Sequence, residues 1–410
     1  MNNVIIIAVR NLFRYKRRTF LTSSLIAFGV ILVIVFGGLA MAFKNQMIGT
    51  LTNTALGDLQ IHKKGYVESI DNLPLNITLS GETLAGVETS LQENSAVAAY
   101  SLRVKFGAMI SNYAQTSNIR LSAVYPEMEN QTCPGLVGRI KGDVPEPDKF
   151  LKPGELLVPD NLMKGLGLNV GDEIVLVATN KDGSVNGLPL RIGAVIESVL
   201  GPGGKDGYMH MDDAKALLRM DETEIVEIAV HLEDFGQLSA VSSELKRTML
   251  SDEAGIELHT WEQLSPFASI ARIVDLLIFM VRFILISIVL VSILNIMTMS
   301  VYERISEIGT LAAMGTRPAR ILFMFLAEGF AMGILSTATG VVIGLGSLWL
   351  MTLTPIVFTF GMMQVTLTPD LPIQEVILVT AIVMFVSVFA GLQPAYKASQ
   401  MEPVDALGHV

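Results

Sequence analysis

Cysteine is almost absent from this chain, with Cys133 the single one in 410 residues. One thiol cannot form a disulfide within the chain, nor can it build a multi-cysteine zinc or iron–sulfur site. Charge is scarce too, at 17% of residues where soluble domains carry about 25%. The short motifs of nucleotide and covalent chemistry are also missing. There is no G-x-x-x-x-G-K-[ST] loop, and the glycine-rich stretch 201–205 lacks the spacing that sets amides, a lysine and a metal-binding hydroxyl around a triphosphate. His62, His210, His231, His259 and His409 include no H-E-x-x-H and no i, i+4 pair, which removes the metalloprotease pattern. No G-x-S-x-G elbow occurs either. Nothing here points to covalent chemistry, so the chain does not read as an enzyme.

What the chain has in excess is apolar surface: 51% of residues are hydrophobic and the mean hydropathy is +0.51. The excess sits in a few uninterrupted blocks toward the two ends, which is how membrane spans look. Residues 19–43 carry no charge. At about 1.5 Å per residue they outspan the roughly 30 Å hydrocarbon core. A cleaved signal peptide is the rival reading, since basic residues precede the block and Ala40-Met41-Ala42 resembles a cleavage site. The block is longer than the roughly 7 to 15 residues of a signal core. Further spans are expected at 273–302, at 319–353, where Glu328 alone interrupts the apolar run 321–353, and at 376–393. Four spans put both termini on one side. Arg10, Arg14, Arg17 and Arg18 flank the first, Arg304, Arg317 and Arg320 lie between the second and third, and Lys397 follows the fourth, so these segments are assigned to the cytoplasm. The connection 354–375 has no lysine or arginine and goes outside with residues 44–272. The first 18 residues fit an interfacial amphipathic helix or a merely basic flank.

The region 44–272 is too long for a loop and is acidic, which argues against a nucleic-acid partner. It reads as a globular α+β unit. Strands are expected at 58–62, 102–110, 173–178, 191–200 and 225–232, and helices at 82–91, 212–220 and 238–250. Turn clusters suggest subdomain boundaries near residues 145 and 220. The acidic residues of this region mark no particular pair and read as solvated surface.

Two features lie in the third span. Glu328 is a carboxylate inside an apolar block, costly there and functional by default. It lies about two turns past Arg317 and Arg320, so snorkelling or pairing with one of those arginines is an equal reading. Gly329 and Gly333, then Gly340 and Gly344, give two G-x-x-x-G spacings that admit a close helix neighbour, in this chain or in a second copy. Between the second and third spans, residues 303–318 form a short amphipathic stretch. Glu303, Arg304 and Glu307 make a charged side, and Ile305, Ile308, Leu311 and Met314 an apolar one. Gly309 and Gly315 permit tight turns, and Pro318 can open the next helix. Such a stretch is either a lever for a cytoplasmic protein or a simple connector.

The pattern E-R-x-x-E-I-G-x-L-x-A-M-G at 303–315 resembles the permease subunits of MacB/FtsX-type (type VII) ABC transporters, and within them the LolC/LolE lipoprotein-releasing permeases. The resemblance continues through F-x-x-E-G at 325–329 with Gly333, P-A-Y-K-A-S at 394–399 and P-V-D-A-L at 403–407. It extends to Ala8, Arg10, Asn11, Leu12, Arg14, Arg18 and Thr19, and to Val158, Pro159 and 162–172 in the outer region. It implies four transmembrane helices with a large α+β, MacB-like periplasmic core domain between the first and second. It also implies a multi-pass protein of the bacterial inner membrane with both termini cytoplasmic. The stretch containing Glu303, Arg304, Glu307, Ile308, Gly309, Leu311, Met314 and Gly315 would dock on a separate cytoplasmic ABC ATPase, with Glu303, Arg304 and Glu307 giving the polar contacts. The chain itself would bind no cofactor, ATP and Mg residing on that partner. A second permease copy or paralogue, a lipoprotein cargo or a periplasmic adaptor would complete the assembly. The implied function is mechanotransmission, the passage of ATP-driven motion through the spans to the outer domain, with lipoprotein release as the leading cargo. The alternatives are activation of a periplasmic hydrolase, as in FtsEX-like proteins, and MacB-like efflux of a peptide or small molecule.

Overall fold

Each apolar block is helical, because a segment without water to bond its backbone must satisfy it internally. The computed structural model describes residues 16–79, 81–142, 144, 146–198, 204–249, 255–264, 267–354, 356–360, 363–369 and 371–401. The expected N-terminal helix over 1–18, apart from its last three residues, lies outside them, as do most of the 201–205 loop, the 403–407 motif and His409. Four helices among the described residues are long and apolar enough to cross a membrane: Thr19–Leu56, Ala268–Glu303, Pro318–Leu353 and Ile373–Ser399. The chain divides into two compact units, one of 1–45, 270–358 and 366–410, the other of 46–269 and 359–365.

Along the chain, α1 (Lys16–Leu51) ends in a π-helical turn, Thr52–Leu56, and leads to β1 (Leu59–Lys63), α2 (Gly81–Glu93), β2 (Val97–Ser111) and β3 (Thr116–Val124). Next come α3 (Pro126–Thr132), β4 (Ile140–Lys141), β5 (Glu155–Pro159), α4 (Asp160–Leu166), β6 (Glu173–Thr179), β7 (Val185–Ile196) and β8 (Asp206–His210). They are followed by α5 (Met211–Leu218), β9 (Glu227–Leu232), α6 (Leu238–Met249), β10 (Ile256–Thr260) and α7 (Trp261–Leu264). The remainder is α8 (Phe267–Glu303), α9 (Ile305–Ala313), α10 (Pro318–Leu353), β11 (Ile356–Phe360), β12 (Met363–Leu367) and α11 (Ile373–Ser399). The helices overrun the apolar blocks that announce them, and the connection 354–375, which carries no basic residue, holds the paired strands β11 and β12.

In the membrane unit, Ile26, Val30 and Ile34 of α1, Val289 and Ile293 of α8, and Val383 of α11 share one core with Met332 and Leu348 of α10. Glycine explains how tightly α10 fits. A Cβ on Gly340 would lie 2.7 Å from Val30 Cβ and 2.9 Å from the Ala27 carbonyl, and one on Gly344 would lie 3.0 Å from Ile34. Nearer the start of α10, a Cβ on Gly333 would meet Ser387 Oγ at 2.6 Å and one on Gly329 would meet Met297 at 2.8 Å. Both G-x-x-x-G spacings therefore serve helices of the same chain, α1 for one pair and α8 with α11 for the other. Lys44 of α1 bonds Asp275 of α8 at 2.7 Å, and Arg282 of α8 pairs with Glu375 of α11.

The second unit is built on a ten-stranded sheet in the order β10-β1-β9-β2-β3-β8-β5-β7-β4, with β6 pairing β2 and β7. The boundaries expected near 145 and 220 do not divide it. β3 pairs with β8 and β5 with both β7 and β8, so strands from either side of residue 145 are neighbours in one sheet, and β9 joins the same sheet from beyond 220. The β3–β8 and β5–β7 pairs are parallel, and such pairs need long crossovers that no local turn signal announces.

Candidate functional site

The joint between the second membrane helix and the short helix that follows it is a single residue. Helix α8 runs to Glu303, Arg304 leaves helical geometry at φ −117° and ψ 21°, and α9 begins at Ile305. The Arg304 carbonyl then accepts the first α9 bond from the Ile308 amide at 2.9 Å. Amphipathic spacing seats α9: Ile308 and Gly309 are buried, while Ser306, Glu307 and Thr310 face out. Ile308 packs with Val301 of α8, Ile321 and Phe325 of α10, and Ala395 and Ala398 of α11. The helix stops at Gly315, whose φ of +80° suits glycine, with its amide and that of Thr316 capping the Ala312 and Leu311 carbonyls at 2.9 and 3.1 Å. Pro318 then opens α10 at its first turn.

The outward side of this joint carries Glu303, Glu307, Met314 and Gly315, with Met314 71% exposed, and Leu311 is half-buried at its edge. Arg304 is not among them. The expectation that it offers a polar contact to a partner is corrected by the structure, which buries it. Its Nη1 donates to Glu328 Oε2 at 3.1 Å, its Nε donates to Glu307 Oε2 at 3.1 Å, and its guanidinium lies over the Phe325 ring, 5.5 Å from the centroid. The reason is physical: a buried carboxylate on α10 must be compensated, and the guanidinium fork at the helix joint reaches it. Glu328 thus pairs with Arg304, while Arg317 and Arg320 are exposed.

A second cluster, in the outer unit, has almost no signature in the sequence. Arg103 grips Glu129 with two bonds, Nη2 to Oε1 at 2.7 Å and Nε to Oε2 at 2.9 Å, and donates from Nη1 to Glu227 Oε1 at 3.0 Å. The same Nη1 donates to the Ala55 carbonyl of the π-helical turn at 2.6 Å. Lys105 Nζ donates to Glu227 Oε2 at 2.8 Å, and His62 Nε2 lies 3.4 Å from that oxygen. Glu129 and Glu227 are fully buried, which corrects their reading as solvated surface. Burial pushes the Glu227 carboxyl up, but Lys105, His62 and Arg103 outweigh it and hold it well below the usual carboxylate range. Burial pushes the neighbouring Cys133 thiol up to about 12. That thiol donates to the Thr52 carbonyl at 3.4 Å, and the Gly135 amide donates to the Asn53 carbonyl at 2.9 Å, so the π-helical turn is held on three sides. The one signal in the sequence is a charged residue at an inward position of an alternating strand.

No group of three or more metal-ligating side chains occurs among the described residues. Four membrane helices, a large mixed-sheet unit inserted in sequence between the first and second, and a short amphipathic helix between the second and third give the layout of an ABC-transporter permease. The family model described as MacB-like periplasmic core domain matches residues 19–248, and that described as FtsX-like permease C-terminal matches 279–403. The chain belongs to this family of type VII ABC permeases and resembles its LolC/LolE members. The lipoprotein-releasing system transmembrane protein LolC of Neisseria meningitidis is 23% identical over 93% of this chain and 92% of its own length. LolE of Haemophilus influenzae is 23% identical over 78% of this chain and 80% of its own. The macrolide export ATP-binding/permease protein MacB of Nitrobacter winogradskyi is 29% identical over 54% of this chain, which spans 34% of that protein.

Proposed function

We propose that this chain is the membrane subunit of a lipoprotein-releasing ABC transporter, in which a separate cytoplasmic ATPase drives motion of the outer unit. The observation that carries the reading is the α9 joint, an outward-facing acidic and apolar surface fixed between two membrane helices by a buried core. Glu303 and Glu307 supply polar contacts to the ATPase and Met314 an apolar knob, while Ile308 and Gly309 seat the helix. ATP and Mg belong to the ATPase. Both termini and α9 face the cytoplasm, in keeping with their arginines and lysine. Similarity to LolC over nearly the full length of both chains supports lipoproteins as cargo. The partial similarity to MacB supports a second reading, export of a peptide or small molecule through an adaptor.

The test is mass spectrometry of what co-purifies with the chain from native membranes in mild detergent. A stoichiometric ATPase with an acylated protein is the expected result. An ATPase with an adaptor and no acylated protein moves the assignment to export, an ATPase with a cell-wall hydrolase moves it to signalling, and absence of any ATPase overturns it.

A further inference from the structure

We infer that Arg304 and Glu328 form a positioning latch that fixes α9 to α10, so that a push on α9 moves α10 rather than bending the joint between α8 and α9. The inference rests on the ATPase-coupled reading for its purpose, but its geometry stands alone. Arg304 is the one residue between two helices, and a chain that leaves helical geometry at one residue would swing there if nothing held it. Besides the packing of Ile308, the side chain of that same residue holds it. Its guanidinium reaches two further elements: Glu307 on α9, and Glu328 with the face of Phe325 on α10.

Three features mark a fixed geometry rather than a chance surface pair. Arg304 is 7% and Glu328 4% exposed, so water does not compete for the bond. The guanidinium plane satisfies two carboxylates and stacks on a ring at once, which the point charge of a lysine cannot do. The pair also sits against the apolar cluster of Val301, Ile308, Ile321 and Phe325, whose non-directional packing would by itself let α9 slide or rotate. A buried ion pair is a poor source of net stability and a good source of a single defined arrangement. Here the arrangement it defines is the angle of the docking helix.

The test is amide hydrogen exchange of the full chain in lipid nanodiscs, first without any ATPase and then with the co-purified ATPase and ATP. Without ATPase, Glu328→Gln is expected to speed exchange of residues 305–313 by about tenfold, while residues 332–344 of α10 stay within about twofold of wild type. Arg304→Lys, which keeps the charge and loses the fork, moves the same amides in the same direction. The exchanged pair Arg304→Glu with Glu328→Arg recovers at least part of the protection. With ATPase and ATP present, the nucleotide-dependent change in α10 exchange seen in wild type falls by about threefold or more in Glu328→Gln. Unchanged exchange over 305–313 in both single variants overturns the latch, as does a rise spread evenly through the membrane unit. Because the first comparison needs no partner, a chain that recruits no ATPase sinks the functional reading and leaves the latch to be judged on its own result.

Discussion

At the scale of single residues, the joint separates side chains that look alike in sequence. Glu303, Arg304 and Glu307 are three charges within five positions, yet two face outward and the third is buried against α10. Nothing in the spacing of E-R-x-x-E could tell them apart, because the partner that turns Arg304 inward stands 24 residues away. The outward group was legible; the inward one was not. Met314→Asp tests the outward face without touching Arg304. It is expected to weaken ATPase association by about tenfold or more, with thermal stability shifted by no more than about 0.5 kcal/mol. Arg103 is the opposite case. Arg103→Met strands Glu129 and Glu227 in the interior, and a loss of about 3–5 kcal/mol is expected in denaturant unfolding of the outer unit. His231 gives the pH dependence. Its Nδ1 lies 3.0 Å from Asp58 Oδ2, and that carboxylate raises its pKa above the ordinary 6.5 despite partial burial. A raised folded-state pKa gives stability that is complete below the unfolded value and lost as pH rises through the folded one. The wild-type advantage over His231→Gln in melting temperature is therefore expected at about pH 6 and expected to shrink by about pH 8.5; an advantage that grows with pH would contradict the pairing.

At the scale of elements, the legible part follows from periodicity. Long apolar blocks announced the four membrane helices, and alternation announced β1, β2, β6, β7 and β9. The strands that escaped, β3, β4, β5, β8, β10, β11 and β12, include members of both parallel pairings, whose partners are brought together by long crossovers. Acidic residues were misread for the same reason, since burial of Glu227 is decided by Arg103, 124 residues away. The glycines of α10 stand out in the sequence by their spacing, but spacing could not say which helix they meet. Gly340→Leu must push α1 away from α10, and a loss of about 1–3 kcal/mol or more is expected in detergent melts. Gly346→Leu is the control, because a Cβ there meets nothing within 4 Å and the position faces outward; it is expected to leave the melt unchanged.

At the scale of the whole molecule, the outer unit carries its own sheet and its own core, around Cys133, Leu136, Leu157 and Tyr208. A fragment of residues 46–269 is expected to be soluble and to unfold in one cooperative transition followed by circular dichroism. A fragment that starts at residue 59 lacks the turn that Arg103, Cys133 and Gly135 hold, and is expected to melt lower. That turn also makes an unusual demand on the chain. A π-helical turn is an α-helix with a surplus residue, and removing one residue from 52–56 would let the backbone relax to ordinary α-helix. The residues after it would then be rotated by about 100° against the turns of helix just before them, carrying the Ala55 carbonyl out of reach of Arg103. The stretch should therefore accept many changes of side chain at Asn53 and no deletion at all: in this segment the arithmetic of chain length, more than the choice of residue, is what inheritance has to preserve.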